Sequence, residues 1–206
     1  MKTIAICGFK GGVGKSTIAN NLASKLDNSI IFNLDFYQDA EEINTSETIN
    51  VKKTDSLKTI LNITKKDFVI IDVGGFDDAR LYEINIDLFI FPTTTGFRSI
   101  KATTDSTYTI LSKYKYKKNV MFIINKYKDD KDFEKSRLIL EDILSKSDVS
   151  FDEVFLNGIK DSKALQTVEN ENLSIEELRN QNSLSKSAYA SIDQVFIDLS
   201  NEIKGF

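Results

Sequence analysis

A short apolar run, Ile4-Ala5-Ile6-Cys7, passes directly into Gly8-Phe9-Lys10-Gly11-Gly12-Val13-Gly14-Lys15-Ser16-Thr17, and no other stretch constrains the chain as much. Gly11, Gly12 and Gly14 allow positive φ and close backbone approach. Lys15-Ser16 then opens a helix-length segment. A strand that ends in such a turn and feeds a helix aims free amides and the positive end of the helix dipole at one point, which suits a phosphate. In that setting Gly11 to Thr17 form a cradle, Val13 included. Lys15 reaches the β- and γ-phosphates of a nucleotide and Ser16 ligates magnesium. The general pattern GxxxxGK(S/T) asks for glycine at position 9. Here Phe9 stands there and Gly8 comes one residue early.

The chain has 206 residues, a length that fits one domain spanning 1–206 with a sizeable core. At 41% apolar and 28% charged it has the make-up of an ordinary soluble globular protein. No apolar run approaches the roughly 18 residues needed to cross a bilayer. Met1 to Cys7 is too short, and lacks the cleavage site, for a secretory signal. The expectation is a cytoplasmic protein without a membrane span. Cys7 is the one cysteine and sits in an apolar strand, so it reads as a buried structural thiol. There is no histidine, which excludes serine–histidine and cysteine–histidine catalysis and histidine-ligated zinc. Chemistry must run on carboxylates, lysines and backbone amides. The net charge of −4 argues against a surface that is basic overall, though not against a local basic patch.

Apolar β-branched runs at Ile4–Cys7, Ser29–Leu34, Phe68–Val73, Leu88–Phe91, Val120–Ile124 and Val154–Leu156 alternate with helical stretches at Ser16–Leu26, Ser99–Lys113 and Asp132–Ser145. Such runs suit strands buried on both faces, so the expected class is α/β: a doubly wound, mostly parallel sheet flanked by helices. In the third helix Phe133, Leu138, Ile139, Ile143 and Leu144 form the expected apolar stripe. A last helix carries Ile192, Val195, Phe196, Leu199 and Ile203 on one face, with Asp193, Asp198 and Glu202 expected opposite. Residues 39–66 begin polar and aperiodic and turn weakly helical near Leu57, Ile60 and Leu61, which suggests a mobile region beside the site.

Two further strand ends carry acids. Phe68-Val69-Ile70-Ile71 runs into Asp72, the Walker B arrangement in which the carboxylate holds magnesium, often through water. Three residues on, Gly75 completes a DxxG-like turn whose bare amide can sense a γ-phosphate. Asp35 ends the second strand, where a carboxylate faces the crevice in which parallel sheets bind ligands.

The loop from Lys10 to Thr17 resembles the deviant Walker A loop, KGGxGK followed by Ser or Thr, of the ParA/MinD family, whose plasmid-partition members often lack the first glycine. The resemblance implies a P-loop ATPase that uses ATP and magnesium and dimerises when ATP is bound. It makes Lys10 the signature lysine that reaches the partner subunit's ATP, and Asp35, in Asn33-Leu34-Asp35, the residue that positions the attacking water. The family usually continues this segment with Pro-Gln, whereas Phe36-Tyr37-Gln38 follow here, and Asp39 reads as a surface loop acid. Val73-Gly74 likewise replaces Thr-Pro after Asp72. Ile123-Ile124-Asn125 resembles the strand end whose asparagine contacts adenine. Asp129 falls one residue late for a guanine-reading NKxD, which favours ATP over GTP. Leu165 to Leu178 is similar to the family's late helix and G-x-S-x-x-E turn, with Asn172 in the glycine slot.

The family's subclasses differ in what the ATP-bound dimer holds. Lys113, Lys115, Lys117 and Lys118, interleaved with Tyr114 and Tyr116, make the densest basic cluster and suit nonspecific DNA. Residues 196–206 offer Lys204 against Asp198 and Glu202, unlike a membrane-binding basic helix. The resemblance therefore implies a small partition ATPase, nucleoid-associated, stimulated by a ParB-like centromere-binding protein. A MinD-like or other cargo-positioning ATPase on a membrane or protein scaffold, a P-loop metabolic ligase and a non-hydrolysing adaptor remain alternatives. The single cysteine argues against an iron–sulfur reductase, whose cluster needs more thiolate ligands.

Overall fold

The computed structural model describes residues 1–35, 47–75, 77–147, 149–171 and 173–206. Phe36, Tyr37, Gln38, Asp39 and Asn172, singled out above, lie outside these described residues, as do 40–46, Phe76 and Asp148.

Seven strands form one sheet: β1 (Lys2–Ile6), β2 (Ser29–Asn33), β3 (Thr48–Asn50), β4 (Phe68–Asp72), β5 (Leu88–Thr94), β6 (Asn119–Tyr127) and β7 (Val154–Lys160), in the order β3-β2-β4-β1-β5-β6-β7. Every pairing is parallel, which sharpens the expected mostly parallel sheet. The six expected strands are present, with β5, β6 and β7 extending further toward their carboxyl ends. β3 escaped the sequence reading because it is a three-residue edge strand with little apolar signal, and its Ile49 is exposed.

The helices are α1 (Lys15–Ala23), α2 (Leu57–Ile63), α3 (Phe97–Leu111), α4 (Asp130–Ser145), α5 (Lys163–Glu171), α6 (Ile175–Asn180), α7 (Ser183–Ala188) and α8 (Ala190–Gly205), with a 3-10 turn at Ala79–Glu83. Strand alternation divides them between two cores. Ile4 and Ile6 of β1 with Ile90 of β5 face α1, α5, α6 and α8, where Leu22, Leu165, Leu178 and Phe196 meet them. Ala5, Cys7, Phe89 and Phe91 face the other layer and meet Leu57, Ile100, Ile110 and Leu140. Both faces of the central strands are thereby buried, which is why their sequences read as unbroken apolar runs.

Two expectations about helix faces are corrected. Leu138 is 58% exposed on α4, because the sheet takes a narrower stripe centred on Leu140. Asp193 lies inside, at 1% exposure, rather than on the polar side of α8. Lys25 Nζ sits 2.8 Å from its Oδ1 and the Arg179 guanidinium pairs with its other oxygen. Lys25 also pairs with Glu176 at 2.9 Å, so one buried acid joins the end of α1 to α6 and α8.

Removing one partner of a buried ion pair typically costs about 3–5 kcal/mol. Here both cations reach solvent and Lys25 keeps Glu176, so Asp193→Ala is expected to lower stability by about 2 kcal/mol, read as a lower urea midpoint with unchanged slope.

Candidate nucleotide site

The carboxyl ends of β1, β2, β4 and β6 converge where the sheet changes direction, after the chain has filled one side of β1 and turns to the other. α1 starts there. Its first residue follows Gly14, whose φ of 92° lies in the left-handed region. Elsewhere Ser56, Asp129, Ser174 and Asn182 cap their helices by accepting a backbone amide. α1, like α3 and α8, has no side-chain cap, and of these it is α1 that opens from the glycine loop. Its first amides are thus left for an external acceptor, as a phosphate cradle requires.

Beneath the loop lies Asn125, 1% exposed at the end of β6. Its Nδ2 donates to the Val13 carbonyl at 2.9 Å, and a Cβ built on Gly14 would stand 2.3 Å from that nitrogen. Gly14 is therefore required twice, by its φ and by the amide packed against it. The Asn125 Oδ1 is buried and accepts no hydrogen bond among the described residues.

A cleft of about 470 Å³ opens over the loop, in the size range of small-molecule sites. Gly11, Gly12, Gly14, Lys15, Ser16, Thr17, Asn20, Asn21, Asp35 and Gly75 line it, together with Lys126, Val168, Glu169 and Leu173. Lys15 Nζ hydrogen-bonds the Lys10 carbonyl at 3.2 Å, bent back over its own loop. The Ser16 hydroxyl donates to the Asp72 carboxylate. Asp72 is 4% exposed, and burial pushes its carboxyl up to about 6, opposed by Ser16 and by the charge of Lys15 and assisted by Asp35. Asp35 takes a backbone hydrogen bond at 2.9 Å from its amide to Asn33 Oδ1, which fixes the strand end. Asn33, in the family's first acidic slot, thus shapes the turn. Burial also raises the Cys7 thiol, so it stays protonated, as expected of a structural cysteine.

The site residues named from sequence therefore converge, with three qualifications. Asn125 faces the loop's underside and is absent from the cleft lining, with one amide hydrogen on the Val13 carbonyl and its Oδ1 buried. Lys10 is exposed and lies outside the cleft lining, and among the described residues its ammonium has no hydrogen-bond or ion-pair partner. The four lysines do not form one free patch. Lys113 pairs with Asp77 and lies 4.8 Å over the Tyr82 ring. Lys118 donates to Asn85 Oδ1 at 2.9 Å and to the Ile86 carbonyl at 3.1 Å, and burial lowers its pKa. Lys115 and Lys117 stay exposed, and all four precede β6, at the end of the sheet opposite the cleft. In the cleft lining, Lys126, Val168, Glu169 and Leu173 had no site role in the sequence reading, because nothing local says that α5 folds over the mouth.

The sequence model of the CobQ/CobB/MinD/ParA nucleotide binding domain matches residues 4–175. The chain belongs to this family. Its ParA/MinD-type members are nucleotide-binding ATPases, as the resemblance implied. Among solved structures, a candidate plasmid partition protein from Borrelia burgdorferi B31 bound to AMPPNP is 20% identical, with 96% of this chain and 98% of that one covered at a TM-score of 0.61. An ATP complex of McdA from Cyanothece is 14% identical, covering 100% and 97%, TM-score 0.66. The MinD cell division protein of Aquifex aeolicus is 15% identical, covering 100% and 98%, TM-score 0.65. These likenesses establish the shared fold. No match to the chain is found among curated protein sequences.

The donor set fits a nucleotide with magnesium: uncapped amides, Lys15, a hydroxyl on a carboxylate, and a buried acceptor without a partner. Because the folded, metal-free protein holds Asp72's proton more tightly than the unfolded chain does, its stability should fall as pH rises from about 4 to about 6 and level off above. Asp72→Asn is expected to flatten that slope and to abolish magnesium-dependent nucleotide retention, checked by chemical denaturation and by equilibrium dialysis. Gly14→Ala should lose nucleotide binding and cost about 1–3 kcal/mol of stability, from its left-handed φ and the collision with Asn125.

Proposed function

We propose that this protein is a partition-type ATPase switch that binds ATP and magnesium, dimerises in the ATP-bound state, holds nonspecific duplex DNA and is stimulated by a ParB-like centromere-binding partner. The observation that carries the reading is the convergence of Lys15, Ser16 and Asp35 on a cleft whose helix is uncapped, with the buried Asp72 hydrogen-bonded to Ser16 behind it. Bound ATP with magnesium would supply the labile γ-phosphoryl group. Ser16 and Asp72 would hold the metal, and Lys15, released from the Lys10 carbonyl, would neutralise the terminal phosphates. Asp35 would accept a hydrogen bond from water and orient it toward the phosphorus, while the amide of Gly75 registers whether the γ-phosphate is present. Among the described residues the Lys10 ammonium has no partner, as suits a cation meant for the nucleotide of a second copy.

DNA is favoured over a membrane because α8 has spent its apolar face: Ile192, Phe196, Leu199 and Ile203 are buried in the core. Among the described residues no helix is long and apolar enough to cross a bilayer. For DNA, Lys115 and Lys117 are the side chains available for phosphate contact.

Retention on random-sequence duplex DNA and on anionic liposomes, with ATP, ADP or no nucleotide, tests the reading. The expected result is ATP-only retention on DNA, lost in Lys10→Ala and Lys15→Ala, and turnover lost in Asp35→Ala with nucleotide still bound. Changing Lys115 and Lys117 to Gln in both subunits should lower the salt slope of DNA binding by about 3 to 4. Retention on neither surface would sink it in favour of a scaffold-bound cargo ATPase or a ligase.

A further inference from the structure

Asp35 stands two residues past the end of β2, so the strand ladder itself does not place it. Leu34 is held by the Asp72 carbonyl at 2.9 Å, and the Asp35 amide by the Asn33 side chain, donating to Oδ1 at 2.9 Å. The other end of that side chain is also taken: Asn33 Nδ2 donates to Asn50 Oδ1 of β3 at 3.0 Å. Asn33 and Asn50 are register partners across the parallel β2–β3 pair, and Asn33 and Asp72 are register partners across β2–β4, so the three form one lateral row. Ile31 and Ile70, each two residues earlier on its strand, belong to the core on the α1 side. Strand alternation therefore turns Asn33 and Asp72 to the side on which α1 begins. Asn33 is buried, whereas Asn50 is exposed on the edge strand and absent from the cleft lining.

A carboxamide accepts and donates at once, while a carboxylate only accepts. Asparagine in this row holds the Asp35 amide with its oxygen while its nitrogen is fixed by β3. Turned over, the same side chain would set Nδ2 against the N–H of Asp35, donor against donor. Resting on the reading that Asp35 orients the attacking water, we propose that Asn33 and Asn50 are positioning residues for that carboxylate: Asn50 clamps the Asn33 amide, and the clamped amide sets where Asp35 stands. The three-residue edge strand β3 thereby takes part in turnover although none of its residues lines the cleft. A carboxylate that must order one water tolerates little displacement, since a misplacement of about 1 Å can cost on the order of a hundredfold in rate. Nucleotide affinity rests on the loop amides and Lys15 instead, so the clamp acts on kcat and not on binding.

The test follows basal ATP turnover of the whole protein with magnesium chloride, alongside ATP affinity by isothermal titration. Asn50→Val keeps a strand-forming side chain but removes the acceptor, and is expected to lower kcat about tenfold, in line with one lost hydrogen bond. KM and ATP affinity should stay within about twofold, which also shows the fold intact. Asn50→Asp retains an acceptor for Nδ2 and should keep kcat within about twofold of the parent. Because the two residues act in series, Asn33→Val with Asn50→Val should turn over no more slowly than Asn33→Val alone. Unchanged kcat in Asn50→Val, an equal loss in Asn50→Asp, additive losses in the double variant, or ATP affinity falling in step with kcat would each overturn the clamp. A parent without ATP turnover, or one whose turnover survives Asp35→Ala, overturns the reading of Asp35 and the clamp with it. Turnover lost in Asp35→Ala but unchanged in Asn50→Val overturns the clamp alone.

Discussion

The site is organised by one buried hydrogen bond, from the Asn125 amide to the carbonyl of Val13. It joins the end of β6 to the turn that starts α1, elements more than a hundred residues apart, and it sets the height of the loop above the sheet. A buried carbonyl without a partner costs about 1–3 kcal/mol, so the loop cannot shift without losing that bond. The same amide occupies the space where a Cβ on Gly14 would stand, which ties the glycine to the asparagine sterically as well as through the backbone. The left-handed turn, the uncapped helix and the cleft above them all inherit their geometry from this contact.

Around it the site is electrostatically unfinished. α1 lacks the side-chain cap found on α2, α4, α6 and α7, and Asp72 is buried beside a second acid with only a hydroxyl and a lysine to offset it. Each is a local loss that a phosphate or a divalent cation would reverse, since anions are favoured at a helix amino end and carboxylates by a metal. Stability comes from the two apolar cores and from the buried Asp193, which ties α1 to α6 and α8 behind the site. The helix that must stay open at its front end is anchored at its back.

The parallel sheet separates two surfaces. Nucleotide chemistry gathers at the carboxyl ends of the strands, while Lys113 to Lys118 lie at the amino ends. A physical link nevertheless joins them: two residues beyond Gly75, Asp77 pairs with Lys113 and with the hydroxyl of Tyr82, and the Tyr82 ring packs edge-on against Tyr114. That link engages one lysine of the cluster while leaving it exposed, and Lys118, half-buried, is engaged by Asn85 Oδ1 and the Ile86 carbonyl.

Much of this was legible before folding. Local rules carry the apolar runs of β1, β4 and β6, the glycine loop and the strand-end acids Asp35 and Asp72, because burial on both faces, positive φ and a carboxylate at a strand end are written in consecutive residues. Contacts distant in sequence were not legible. Periodicity placed Asp193 on the polar side of α8, but Lys25 and Arg179, from elsewhere in the chain, bring it inside. The basic cluster read as one patch until Asp77, Asn85 and the Ile86 carbonyl claimed two of its lysines. Lys126 looked like a neighbour of Asn125, and only the slip of the β6–β7 ladder between Asn125 and Tyr127 and the fold of α5 over the cleft give it a place in the lining. The sequence by itself determined which backbone turns and strand ends exist, since those depend on local sterics and hydrophobicity. Tertiary structure alone decided which charges meet, because a charge's partner is chosen by distance in space and the chain reveals that only once it is packed.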